Sequence, residues 1–153
     1  MNIFVLHKDP IIAAQMACDK HVVKMILETA QMLCTAATAA GHTTPYKATH
    51  KGHPCTLWAG HSAGNWKWLI QYGIALCAEY TKRYGRRHKS ETIIRHCGEL
   101  NLEFENSKQT PFAQAMPQQY RNDCAVTAYR AYYMGEKAGF ATWKTQTPDW
   151  WRV

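Results

Sequence analysis

Apolar positions over the first forty residues recur at the three- and four-residue spacing of an α-helix. Asp9-Pro10 supplies an N-cap followed by a first-turn proline, and the pattern runs on to Ala40, where Gly41 stops it. One long helix and two helices with a bend near Cys18-Asp19 fit equally well. At about 100° per residue, Val22, Val23, Ile26, Leu27, Ala30 and Leu33 fall on one broad apolar arc. Lys20, His21, Lys24, Glu28 and Gln31 share the remaining, narrow stripe. Ahead of this, Met1 to Leu6 is a short apolar lead, read as a small strand or an extended plug against the core.

A second helix is predicted from about Cys55 to Tyr84, with Leu57, Trp58, Trp66, Leu69, Ile70, Ile74 and Leu76 buried. Gly60, Gly64 and Gly73 interrupt it; each costs about 1 kcal/mol relative to alanine, so they are expected to let another backbone approach. Trp58, Trp66 and Trp68 read as core or groove lining ahead of a base-stacking platform. Ser90 is expected to cap a third helix through about Leu100. Asn101 to Arg121 loses all periodicity and reads as an extended segment with apolar anchors. Asp123 then caps a last helix that buries Val126, Tyr129, Tyr133 and Phe140. The fold class that follows is all-α: a single domain over 1–153, built of long packed helices with irregular loops that carry the basic residues.

Charge sharpens this picture. Eighteen Lys and Arg stand against eleven Asp and Glu, for a net charge of +7, a balance suited to a polyanion. The basic residues sit in loops. Lys47, His50, Lys51 and His53 crowd the start of the second helix at Pro54, whose free N–H groups and positive dipole end favour an anion. Arg86, Arg87 and Lys89 make the densest basic run. With Arg121, these are the candidate phosphate contacts, and nucleic acid, double-stranded DNA first, is the expected partner.

The six cysteines are scattered without a C-x-x-C pair, so a reducing cytoplasm is expected, with no structural metal, no cofactor and no membrane span. In the polar stripe, His21, Lys24 and Glu28 place an imidazole, an amine and a carboxylate in one line. That line is either a solvated helix face or a reacting stripe capable of acid–base chemistry.

Met116-Pro117-Gln118-Gln119-Tyr120-Arg121-Asn122-Asp123 resembles the block that precedes the last helix in the phage endonuclease V family, all-helical pyrimidine-dimer DNA glycosylases with AP lyase activity. Glu136-Lys137-Ala138 and the Trp/Tyr-rich end resemble that family's C-terminal region. The Met1-to-Leu6 lead, Ala13-x-Gln15 and His53-Pro54 agree more loosely. The resemblance implies a free α-amine at the chain start as nucleophile on the sugar C1′, assisted by a glutamate on the first helix, with basic residues holding a kinked duplex. Because initiator methionine is generally removed only before a small residue, the amine would be that of Met1. Alignment of the chain starts puts the family's glutamate near Val23 or Lys24, where no acid stands. Glu28, one turn later, or Asp19, one turn earlier, would substitute if the helix is shifted, and Lys24 is an alternative amine. A non-catalytic nucleic-acid-binding module and an enzyme acting on a nucleotide or modified base are the rival readings.

Overall fold

The computed structural model describes residues 1–153, and its regular structure is helical throughout. Six α-helices follow in order: α1 Pro10–Met16, α2 Asp19–Ala39, α3 Pro54–His61, α4 Ala63–Tyr84, α5 Glu91–Glu99 and α6 Ala125–Glu136, with a 3-10 turn at Gln118–Tyr120. Asp9 caps α1 as its sequence predicts, Oδ1 accepting from the N–H groups of Ile11 (2.8 Å) and Ile12 (3.3 Å). Ala17 and Cys18 are extended, so the bend at Cys18-Asp19 makes two helices of the first periodic stretch.

The single predicted helix over Cys55–Tyr84 is two. Ser62 lies at φ −148°, ψ 159°, fully buried, and its Oγ accepts from Asn65 N (3.1 Å) to open α4. The N–H groups freed by the break do not go unmet: Ala63 donates to Asn106 O and Gly64 to Ser107 O, each at 2.9 Å. Segment 101–117, without helix or strand, thus crosses the start of α4, held by Phe104 against Trp66 and Phe112 against Trp58 and Trp68. Gly64 is where the crossing backbone comes closest, since a Cβ there would sit 2.8 Å from Gln109 Cα. Gly73 serves helix packing, as expected of the interruptions, with Thr29 of α2 and Ile94 of α5 against it.

Two expected caps are replaced. Ser90 makes no side-chain cap for α5, and its Oγ bonds instead to the Tyr46 hydroxyl (2.8 Å). Asp123 does not cap α6; the helix starts after Cys124, whose N–H is taken by Asn122 Oδ1 (2.9 Å).

One continuous cluster of 33 buried apolar residues, running from Ile3 to Tyr133, joins the lead and all six helices except the short turns. Trp58, Trp66 and Trp68 belong to it, which settles them as core. The aromatic end folds down on the body: Trp143 Nε1 donates to Met16 O (2.9 Å), and Trp150 and Trp151 pack edge-on against Tyr133. Behind α2, a buried cation ties the corner together. Arg83, with no side-chain exposure, reaches Glu79, Asp19, Ala17 O and Gln15 O, so both α1 and the start of α2 are fixed to α4. No helix is long and apolar enough to cross a membrane.

Candidate active site

The lead Met1–Leu6 has no strand partner and is an extended plug. It carries one buried amide, and that amide aims it. Asn2, 8% exposed, donates from Nδ2 to Ala115 O (2.8 Å), while its Oδ1 accepts from Ile3 N (2.8 Å), the Tyr129 hydroxyl (2.9 Å) and the Cys55 thiol (3.6 Å). Phe4 stacks on His21 at 4.3 Å between ring centroids and meets Tyr129 and Tyr133 edge-on. Arg130 of α6 donates to Leu6 O (2.9 Å).

This anchoring lays Met1 over α2. The α-amine stands 3.2 Å from Glu28 Oε1, with the Met1 side chain 3% and the Glu28 side chain 11% exposed. Met1 as a whole is half-buried, so its accessible part is the main-chain end that bears the amine. Lys24 Nζ approaches the other carboxylate oxygen, Oε2, at 3.8 Å, but its side chain is 64% exposed, and such a solvated pair adds little to stability. His53 completes the cluster. Its imidazole lies against the Met1 carbonyl, and its pKa is held below the ordinary value by burial first, then by the α-amine and His50, with Glu28 and that carbonyl opposing.

The residues expected at the site therefore separate. Met1, Lys24 and Glu28 come together, and counting from the start of α2 rather than the start of the chain explains why: Glu28 is about two and a half turns into the helix, and the lead folds back to meet it. His21 is not on a solvated stripe. It is 4% exposed, its Nδ1 is 2.7 Å from the Tyr133 hydroxyl, and no hydrogen bond or ion pair joins it to Met1, Lys24 or Glu28. Burial, then the charges of Lys137, Lys24 and Lys20, push its pKa down to about 3. The lead covers His21 and Glu28, so the solvent strip of α2 is shifted to Lys20, Val23, Lys24, Leu27 and Gln31; Val23 and Leu27 were expected in the core.

Among the candidate phosphate contacts, Lys47, His50, Lys51, Arg86, Arg87, Lys89 and Arg121 are all exposed. Lys47 and Lys89 line one open cleft with Leu27 and Gln31, beside Glu28. Arg121 borders a groove that includes Pro54, next to His53. Arg86 donates to the Tyr80 hydroxyl (3.1 Å) and Arg87 pairs with Glu91 (3.3 Å). At the start of α3, one of the N–H groups is taken by the protein itself: His53 Nδ1 accepts from Cys55 N (3.1 Å) and caps the helix.

Sequence reasoning missed Asn2, Phe4 and Tyr129 as the residues that aim the amine. The one available signal was a lone amide inside an otherwise apolar lead.

A carboxylate beside an amine, in a chain with an excess of positive charge, suits amine chemistry on an anionic substrate. The profile described as pyrimidine dimer DNA glycosylase matches residues 1–92, which contain Met1, Lys24, Glu28 and His53 but not the Met116–Asp123 block. No curated protein and no solved structure matches the chain. With more than half of its 153 residues matched, among them the amine and the carboxylate that meets it, the chain belongs to the pyrimidine dimer DNA glycosylase family.

Proposed function

We propose that this protein removes a damaged pyrimidine from duplex DNA and then cleaves the strand, as a glycosylase with AP lyase activity that uses the Met1 α-amine as nucleophile and Glu28 as its partner. The observation that carries the reading is the 3.2 Å contact between the amine and a largely covered carboxylate in a chain of this family.

An ammonium has no lone pair, so the first requirement is a proton acceptor. Glu28 Oε1 is in hydrogen-bond reach of the amine and serves as that base. The freed nitrogen attacks C1′; the N–C1′ bond forms as the glycosidic bond breaks, and the base departs with the bonding pair. Ring opening leaves an imine between Met1 and C1′. Loss of a proton from C2′ then expels the 3′ phosphate, which breaks the strand. Glu28, protonated in taking the amine's proton, returns it to the sugar ring oxygen as the ring opens and is then a carboxylate again, able to oppose the charge of the protonated imine. Lys24 adds a cation at the rim.

The test is single-turnover reaction of the protein with duplexes carrying either a cyclobutane dimer or an abasic site, with borohydride present. A covalent adduct is expected on both, and peptide mapping is expected to place it on Met1. Glu28→Gln should lower adduct formation on the dimer duplex by on the order of 100-fold or more, the usual range for loss of a general base. An adduct mapped to Lys24 would overturn the assignment of the nucleophile. No adduct on either duplex would overturn the enzymatic reading and leave a binding protein.

A further inference from the structure

We propose that His53 is a positioning residue for the Met1 amine: its imidazole holds the Met1 carbonyl and so fixes the direction in which the amine points. The inference deepens the assignment of Met1 as nucleophile and rests on it.

The Met1 Cα carries a side chain, a carbonyl carbon and the amine, and where the first two go decides where the third can be. The side chain is 3% exposed, which fixes Cβ. No backbone N–H donates to the Met1 carbonyl. The polar group that lies against it is the His53 imidazole. Once Cβ and the carbonyl are both set, tetrahedral geometry leaves the nitrogen one direction, toward Glu28 Oε1 at 3.2 Å. With the carbonyl released, the chain end is held by its side chain and the ion pair alone.

The ring is prepared for this task. Its Nδ1 accepts from Cys55 N (3.1 Å), so the single proton of the neutral imidazole is on Nε2, where it can be donated to the carbonyl. Burial, then the α-amine and His50, hold the ring below its ordinary pKa of 6.5, which keeps it neutral near physiological pH. The first turn of α3 grips the lead a second time, through Cys55 Sγ donating to Asn2 Oδ1 (3.6 Å). The loop ahead of α3 is tied to α2: Thr49 N donates to Thr35 Oγ1 and Thr35 Oγ1 donates to Thr49 O, each at 3.0 Å. His50, at φ 50°, then turns the chain so that His53 N reaches His50 O (3.1 Å), a conformation uncommon for a residue other than glycine. Thus α2 carries Glu28 and, about two turns further on, the anchor of the loop that delivers His53.

Two substitutions divide the work of the ring. His53→Asn keeps an acceptor where Nδ1 stands and can cap α3, but is too short to reach the carbonyl. His53→Gln carries its amide to where Nε2 stands and gives up the cap. On the abasic duplex, His53→Asn should slow borohydride trapping about tenfold or more, as a small misplacement of a reactant does, with DNA affinity almost unchanged. His53→Gln should restore most of that rate while lowering the melting temperature. Equal loss for both variants, or none for His53→Asn, would overturn the proposal. Two NMR measurements need no DNA. Long-range proton–nitrogen correlation near neutral pH should show His53 with its proton on Nε2; a proton on Nδ1 would overturn the proposal. Isotope labels on the methionine carbonyl and the asparagine nitrogen select the Met1–Asn2 pair alone, since no other Met precedes an Asn. That carbonyl resonance should move upfield in His53→Asn and stay near the parent's in His53→Gln, and an unmoved resonance in His53→Asn would overturn the proposal. No adduct from the parent protein, with both NMR results as expected, would count against the glycosylase reading and leave His53 in its role; an adduct with an unmoved carbonyl would count against His53 alone.

Discussion

His21 has the chemistry of a catalytic group and the surroundings of a core residue. Its ring is sandwiched by Phe4 and tied to Tyr133, and three lysines oppose its protonation. Folding therefore lowers its pKa from 6.5 to about 3. The unfolded chain takes up the proton first as pH falls, so the stability associated with neutral His21 is complete above about pH 6.5 and is lost progressively toward pH 3. The slope is about 1.4 kcal/mol per pH unit inside that window. Denaturant unfolding of the parent and of His21→Phe between pH 4 and pH 7 should differ in slope by about that amount, and parallel curves would show that His21 titrates normally. Spacing along α2 put Glu28 and Lys24, which meet at Met1, on the same footing as His21, which does not, because all three lie at helical steps on one side. What distinguishes them is which part of the lead lies on top, an aromatic ring at His21 and an amine at Glu28. The same cover explains why Val23 and Leu27, apolar and thus assigned to the core, stand in solvent.

Among the elements, α3 and α4 show where periodicity misleads. The apolar spacing from Cys55 to Tyr84 is continuous enough to predict one helix, yet the chain breaks at Ser62. The break is stabilised from residues 106–107, more than forty positions away, whose carbonyls take the N–H groups of Ala63 and Gly64. No local pattern encodes such a partner. The glycines did point to it, since a backbone approaches at Gly64 as expected, although the approaching segment is a loop. Gly64→Ala would place a methyl group within 3.0 Å of three Gln109 atoms, two of them backbone, and the strain should cost about 1–3 kcal/mol. Gly52→Ala, where nothing lies within 4 Å, should leave the melting temperature almost unchanged. Equal melting for the two variants would mean that segment 101–111 yields without cost. Helix ends with local chemistry were readable by contrast: Asp9-Pro10 opens α1, and Gly85, at φ 70°, closes α4 in the left-handed conformation that glycine adopts without strain.

Taken as a whole, the molecule presents its excess charge on exposed loop residues, among them Lys47, Lys51, Arg86, Arg87 and Lys89. Lys47 and Lys89 flank the cleft beside Glu28, and each phosphate contact adds about 0.9 to the slope of log K against log salt for B-form DNA. Lys47→Ala combined with Lys89→Ala should therefore reduce that slope by about 1.8, with weaker binding to damaged and undamaged duplexes alike. A slope equal to the parent's would remove both lysines from the interface. Composition made this basic surface legible; which cations share a cleft depends on the loop that brings Lys89 beside Leu27.

The return of the lead has its own consequence for how the chain can be divided. Residues 1–92 carry the Met1 amine and the Glu28 carboxylate, yet the contacts that orient Met1 reach into the last third: Asn2 to Ala115 and Tyr129, Leu6 to Arg130, Phe4 to Tyr133. Grafted onto another scaffold, the matched part would bring the reactants without their alignment. The reactive end and the closing helix are thus one inheritance, and substitutions tolerated in either are constrained by the other.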